Sequence, residues 1–493
     1  MAITTINTGL NQSKGVPYTV VTDSSVDWTG VTNSTYFYDK TTRLPYYKNS
    51  GGTVVSIFEE SGGGSGADTF VTGGTYTSSA STITLDRNDG NSVSISGITS
   101  GSFGKFGVSN TDGEYTYYDT IELALAAASS GDIIEQFSNV SVSGTTTINL
   151  VNGVTWQMNG YEYKNVDSGQ CMMFTIPTNN TVKFTFKNGK ITRDGGTISA
   201  ASNGCVDSGN YYTSEIIAEG MDFLAATGAV FYENSTLIGG NWVGQSFNAG
   251  GKIINVYVST SANSLVSGNN AEIYNSYFYS SGGYHYTTSG CKSYNSTFES
   301  DGSYAAYMGN GNNEAHNCTY ISTSSYGLRM LGDSATQYSK AFNCVGISTA
   351  GYGIHMAGHA KAYNCSALAS AGNGAWVAGY SEMHNCTVES KAGYGILGSG
   401  DITIKNSTVT SKYDNAVGHA LYIYNGYTGP GFTAVGNYLK VTNASANGLK
   451  VASANIGKYA GNTFEGSTTA IDDASTAGNQ MINTPDIYGN LLL

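Results

Sequence analysis

The chain has 493 residues with 22 Lys and Arg against 35 Asp and Glu; its net charge of −13 denies it the basic footprint that nucleic-acid backbones require. Charged residues make up only 12%, while 65 Gly and 37 Tyr stand beside 5 Pro, a composition that suits β-structure with many tight turns better than helices. With 40% hydrophobic and 12% aromatic residues disorder is excluded, yet no apolar run approaches the roughly 18 residues of a membrane helix.

The first stretch, "MAITTINTGLNQSKG", has no charged region leading into an apolar one, so no secretory signal is expected and assembly in a cytoplasm is. Residues 1–66 form a β-rich segment: "STYFYDKTTRLPYYKNSGGTVVSIFEESGGGSG" alternates in strand-like runs and closes on a Gly/Ser linker from Ser61 to Gly66. Residues 67–112 read as a small β domain of three strands, joined by turns at Thr72–Gly74 and Asn88–Gly90. In "EYTYYDTIELALAAASSGDIIEQF", Ile121, Leu123, Leu125 and Ala126 sit in a helix-forming run that Asp119 or Thr120 can cap, and "SSGD" stops it before a strand.

Downstream an Asn returns at Asn234, Asn255, Asn275, Asn295, Asn317, Asn343, Asn364, Asn385 and Asn406, at intervals of 21, 20, 20, 22, 26, 21, 21 and 21. Echoes stand at Asn188, Asn437 and Asn462. Apolar residues alternate within each repeat, Ile354 and Met356 on one side of His355, Ala360 and Ala362 on one side of Lys361. Three short strands per repeat describe a parallel β-helix whose coils stack at about 4.8 Å. On this reading the Asn column from Asn255 to Asn406 points inward at a corner, hydrogen-bonds along itself and tolerates a left-handed backbone. The N-x-S/T sequons within it are then incidental. The next position, Ser276, Ser296, Cys318, Cys344, Cys365, Cys386, Ser407, is an inner column of small residues. All seven cysteines, Cys171, Cys205 and Cys291 included, are expected as free thiols, since parallel in-register side chains meet disulfide geometry poorly and no CxxC zinc spacing occurs. Glu272, Lys292, Glu314, Lys340, Lys361 and Glu382 form an outward, mostly alternating charge stripe.

The run "TIELALAAASSGD" resembles the helix that caps the first coil of pectin-lyase-like β-helices. That resemblance implies an all-β, right-handed, single-stranded parallel β-helix with one capping α-helix over residues 113–475, followed by a tail, residues 476–493. The pieces "FYDKTTRLPYYK", "GTVVSIFEE" and "DTFVTGGTY" resemble N-terminal segments of phage tail and virion proteins. Together these resemblances suggest a phage tailspike or tail fibre. They imply a homotrimer attached to other virion proteins through its N-terminus, with the β-helix meeting host surface polysaccharide or another receptor. No cofactor, metal, nucleic acid or membrane insertion is implied. A tailspike depolymerase and a structural head fibre or decoration protein stay open as alternatives.

Depolymerases of this architecture use paired carboxylates. Here outward carboxylates are scarce: Glu219, Asp222 and Glu233 are the nearest to a pair, Asp194, Asp207, Asp301, Asp333 and Asp401 scatter over turns, and the catalytic residues stay unassigned. The more informative column is Thr287, Tyr307, Arg329, His355, Trp376, Leu397. Its flat rings and donors suit sugar stacking or a subunit contact, so Tyr307, Arg329, His355 and Trp376 are the candidate glycan or trimer-contact residues. A second column, Tyr274, Tyr294, His316, Phe342, Tyr363, His384, Lys405, reads as a self-stacking ladder; Tyr284, Tyr304, Tyr326, Tyr352 and Tyr394, with Asn373 and Asn415, occupy one corner.

Overall fold

The computed structural model describes the strands of the first 102 residues with residues 50–53 between them, and then residues 104–474 apart from 110–114, 145, 167–171, 176–181, 194–214, 226–228, 232–234, 267–270, 288–289, 310, 335, 425–430 and 453–456; beyond 474 it describes Leu491–Leu492. The chain forms two compact units, residues 1–102 and 103–493.

In the first unit Ile3–Thr5, Thr19–Val21, Thr35–Asp39, Leu44–Lys48 and Val54–Ser56 make one sheet in chain order. Val71–Thr77, Thr82–Arg87 and Ser92–Ser96 make a second, antiparallel one. The turn expected at Thr72–Gly74 is instead part of a strand, where the register slips between Val71 and Gly73. A Gly pair inside a strand makes a bulge as readily as a turn. Residues 88–90 lie outside the described residues.

The second unit begins with Phe106–Ser109, which pairs antiparallel with both Tyr115–Tyr118 and Ile133–Gln136. The single described helix, Ile121–Ala127, starts at Thr120, whose Oγ1 accepts from the Leu123 amide at 3.3 Å. It buries Ile121, Ala124 and Leu125, a stripe at helical spacing, and leaves Leu123 and Ala126 exposed to solvent.

From Ile133 onward the chain winds as a parallel β-helix with three ladders. Face 1 carries strands such as Lys292–Tyr294, face 2 strands such as Thr297–Ser300, and face 3 twelve strands from Ala229–Phe231 to Ile471–Asp473. Alternation holds along most strands as read from the sequence: Ile354 and Met356, Ala360 and Ala362 are all buried, although His355 between the first two is buried as well. Large rings fill the early coils (Trp156, Phe184, Phe223, Trp242), and Phe278, Phe298 and Tyr320 stack above one another at 5.0 and 5.2 Å. Later coils are filled by Ala341, Ala362, Met383 and Val388. Where the wall tightens, a Cβ on Gly353 would sit 2.4 Å from the Leu368 amide nitrogen, which accounts for the second Gly of each "GYG".

The corner between faces 1 and 2 corrects the inward Asn column. Asn188, Asn255, Asn275, Asn295, Asn317, Asn343, Asn364, Asn385 and Asn406 all have φ between 48° and 55°. From Asn255 to Asn406 every one of these side chains is exposed. The left-handed residue rotates its side chain out of the strand's alternation, so the Asn is selected for backbone conformation and not for burial. Gly220, Gly239, Gly436 and Gly461 occupy the same corner with φ of 61°, 66°, 68° and 59°, which places the coils between Asn188 and Asn255 that have no Asn. Asn234 is outside the described residues, while Asn437 and Asn462 are buried and fall one position later. Stacking itself is present, in solvent: Asn295, Asn317 and Asn343 each donate Nδ2 to the Oδ1 of the previous Asn at 3.3, 3.1 and 3.1 Å.

The turn also points the next backbone N–H into the interior, and this gives the inner column its residue types. The amides of Val256, Ser276, Cys386, Ser407 and Asn437 donate to Ser276 Oγ, Ser296 Oγ, Ser407 Oγ, Asn437 Oδ1 and Asn462 Oδ1 of the following coil at 2.9–3.1 Å. Cys365 donates likewise to Cys386 Sγ at 3.4 Å. Each side chain is therefore an acceptor for a buried donor, beyond the filler role inferred from size. Cys291, Cys318, Cys344, Cys365 and Cys386 are buried and free, as expected; Cys171 and Cys205 lie outside the described residues.

A further serine column was not anticipated. Ser280, Ser300, Ser322, Ser348, Ser390 and Ser411 are buried where face 2 turns into face 3. Ser322 and Ser390 donate to Ser303 O and Gly372 O at 2.6 and 2.7 Å and accept from the Ser325 and Gly393 amides at 2.9 and 2.8 Å. Its signal was present in the sequence as a Ser before most of these corners, with Ala369 in its place in one coil.

Candidate functional site

Face 3 carries the site because its strands turn one residue in two outward, and the corner before it adds a second row of rings. In register across successive coils the outward column is Tyr286, Tyr307, Arg329, His355, Trp376, Leu397, Tyr422. Thr287, expected in that column, instead pairs with Met308 and is buried. Coil 285–287 has no counterpart of Ala305 between its corner Tyr and its strand, so counting from the Tyr slips by one residue. At the other end the corner partner of Tyr394 is His419, stacked at 5.8 Å, and not Asn415, because the intervening corner is longer.

The corner row stacks face to face: Tyr304 on Tyr326 at 5.0 Å, Tyr326 on Tyr352 at 4.9 Å. The two rows interlock. His355 packs on Tyr326 at 4.9 Å and against Trp376 at 4.8 Å, and Tyr286 meets Tyr307 at 5.0 Å. Arg329 lies with its guanidinium carbon 5.1 Å from the Tyr304 centroid and 4.8 Å from that of Tyr307, and Nη1 donates to the Tyr304 hydroxyl at 3.0 Å. Tyr307, Arg329 and Trp376 are half-buried, whereas His355 is only 6% exposed, deeper than an outward column position implies. Burial, and then the Arg329 charge, push the His355 imidazole down to about 4. Burial raises the phenols of Tyr307, Tyr326 and Tyr352. These groups are thus neutral near pH 7 beside one permanent cation. Arg329 Nε, His355 Nδ1 and Trp376 Nε1 are buried without a hydrogen-bond partner. Three such atoms on consecutive coils make a run of unsatisfied polar groups along one strip.

The aromatic and charged outward groups of faces 1 and 2 are largely paired with one another. On face 1 the rings Tyr274, Tyr294, His316, Phe342, Tyr363 and His384 stack continuously at 4.7–5.2 Å and nearly parallel. Beside them Lys252–Glu272, Lys340–Glu314 and Lys361–Glu382 pair at 3.7, 3.2 and 2.9 Å. Glu219 pairs with Lys187 at 2.9 Å, and Asp222 accepts from the backbone and side-chain amides of Asn241 at 2.9 and 2.8 Å. Both carboxylates serve ladder contacts, and Glu233 lies outside the described residues. On face 2 Tyr277 and Tyr279 donate to Glu299 and Asp301. Among the described residues no group of three or more His, Cys, Asp or Glu is arranged to hold a metal, and no helix is long and apolar enough to cross a membrane.

The arrangement defines a parallel β-helix with one aromatic, singly cationic strip. No protein-family model matches the chain, and no curated protein matches it. Among solved structures, the A-module of a mannuronan C-5 epimerase from Azotobacter vinelandii aligns over 68% of this chain and 90% of its own, at 12% identity and a TM-score of 0.38. Tailspike protein 3 of bacteriophage CBA120 aligns over 93% of this chain and 86% of its own, at 10% identity and a TM-score of 0.29. The catalytic domain of a family 87 α-1,3-glucanase covers 70% and 64%, at 9% identity and a TM-score of 0.28. The β-helix assignment rests on the ladders themselves.

Proposed function

We propose that the protein is a bacteriophage virion component that binds a host-surface glycan through face 3, with its N-terminal unit serving attachment. The observation that carries this reading is the strip Tyr307–Arg329–His355–Trp376 with its flanking corner tyrosines. It combines half-buried rings suited to pyranoses with one guanidinium, whereas the charged and aromatic columns of face 1 pair among themselves. The N-terminal motifs that resemble virion proteins supply the phage context. Purified protein co-sedimented with surface polysaccharide of the bacterium that the phage infects should bind it without shortening it. Shortened product would make the protein a depolymerase. Failure to bind, with antibody labelling confined to the phage head, would leave a structural head fibre.

The assembly we propose is a homotrimer joined through face 2. Ile321, Val345, Ile347 and Leu368 all point outward there, half-buried and adjacent in register, which leaves face 3 for ligand. Light scattering should give three chains for the wild type and fewer for Ile347→Lys. A monomeric wild type refutes the trimer.

A further inference from the structure

We infer that the ligand of face 3 is an anionic glycan, held by Arg329 against an oxyanion of the sugar chain. This inference rests on the glycan-binding reading above and narrows it. The chain carries a net charge of −13, and six lysines along the β-helix, Lys183, Lys252, Lys340, Lys361, Lys412 and Lys440, each pair with a Glu at 2.8–3.7 Å. Arg329 combines partial burial with the lack of such a partner. It is half-buried and forms no ion pair with a carboxylate among the described residues; its guanidinium lies over two tyrosine faces, donates to one phenol oxygen and neighbours the neutral His355 ring. Withdrawing a guanidinium from water without a counter-ion is unfavourable, and stacking on rings offsets only part of that cost. An oxyanion reaching the guanidinium would supply the missing counter-charge through a charge-assisted hydrogen bond.

The neighbours define what flanks the charge. One coil on, His355 is neutral and adds no second cation; two coils on stands the half-buried Trp376 ring, apolar over most of its surface. At about 4.8 Å per coil the strip repeats at roughly the length of one sugar unit. A chain lying along the rod would therefore place one charged unit over Arg329 and a less polar ring near Trp376. Two sources share the oxyanion chemistry, a carboxylate of an acidic sugar and a phosphate ester on a neutral one.

Titration calorimetry on the full chain tests the inference with three probes: oligogalacturonate, phosphorylated dextran oligomers and unmodified dextran oligomers. One anionic probe should bind at least about tenfold more tightly than unmodified dextran, the advantage shrinking as salt rises. Arg329→Gln should remove that advantage, and Arg329→Lys should keep part of it. Which anionic probe wins decides between carboxylate and phosphate. Equal binding of all three probes, unchanged in Arg329→Gln, overturns the anionic inference and leaves glycan binding intact. No binding of any probe by the wild type, although it binds the host's polysaccharide, overturns the anionic inference alone; failure with the polysaccharide as well overturns both. Should Arg329→Gln not fold, the salt dependence of the wild type and the Arg329→Lys result carry the same decision.

Discussion

Asn364 shows how one backbone angle decides what a side chain is for. Its φ of 54° is costly for most L-residues, and its amide is in solvent. Asn364→Gly should therefore leave the melting temperature nearly unchanged, as Gly436 in the same column suggests, whereas Asn364→Leu should cost about 1–2 kcal/mol through strain. Equal losses for both would point back to the side-chain amide. One residue further on, the reasoning inverts. Ser407 Oγ accepts from the buried Cys386 amide at 3.1 Å, so Ser407→Ala strands a donor and should cost about 1–3 kcal/mol, with Ser407→Cys recovering part of it. Thermal unfolding of the two variants decides this. Neither role follows from composition. A left-handed corner moves the phase of the chain by one position, so alternation correctly counted along the strands gives the wrong side for the residue between them.

At the level of strands and faces, the sequence was most legible where period-two alternation and the repeat of about 21 residues coincide, as around Ile354–Met356 and Ala360–Ala362. It was least legible at corners of variable length. The missing counterpart of Ala305 moved Thr287 into a column that belongs to Tyr286, and the long corner before Leu421 hid His419 behind Asn415. For the candidate strip, residue identities could be read but depth could not, since His355 lies under Tyr326 and Trp376, each supplied by a different coil. Face 3 also predicts a pH response. His285, buried between Ser264 Oγ and Glu299 O, is held down to about 4 by burial, and burial brings His419 to about 4 as well. Unfolded, these imidazoles titrate near 6.5, so between roughly pH 6.5 and 4 the unfolded chain binds the extra protons. Stability is then full above about 6.5 and falls as pH drops towards 4, by on the order of 3 kcal/mol for His285 alone. Chemical denaturation at pH 8 and pH 4.5 measures it, and a flat profile would contradict the buried neutral imidazole.

For the molecule as a whole, the cysteines serve as internal reporters. Cys318, Cys344, Cys365 and Cys386 stand on four consecutive coils, all buried, and Cys291 lies below them. In folded protein these five should resist a small alkylating reagent, and in denaturant all should react without prior reduction. Peptide mass spectrometry at intermediate denaturant then reports which coils open first, since contacts in a stacked array run only between neighbours. Rapid modification of Cys365 under native conditions would contradict the closed interior. The recurring left-handed corner has one more consequence, for length. Because Asn364 and Asn385 are equivalent, excising residues 365–385 joins Asn364 to Cys386 and leaves every remaining strand facing the partner type it had before. The rod loses one rung, about 4.8 Å, and with it Trp376, while the chemistry of the other rungs is untouched. A gene that duplicates or drops this unit can lengthen or shorten the gripping strip in fixed increments. Reach and recognition can thus be inherited as separate traits.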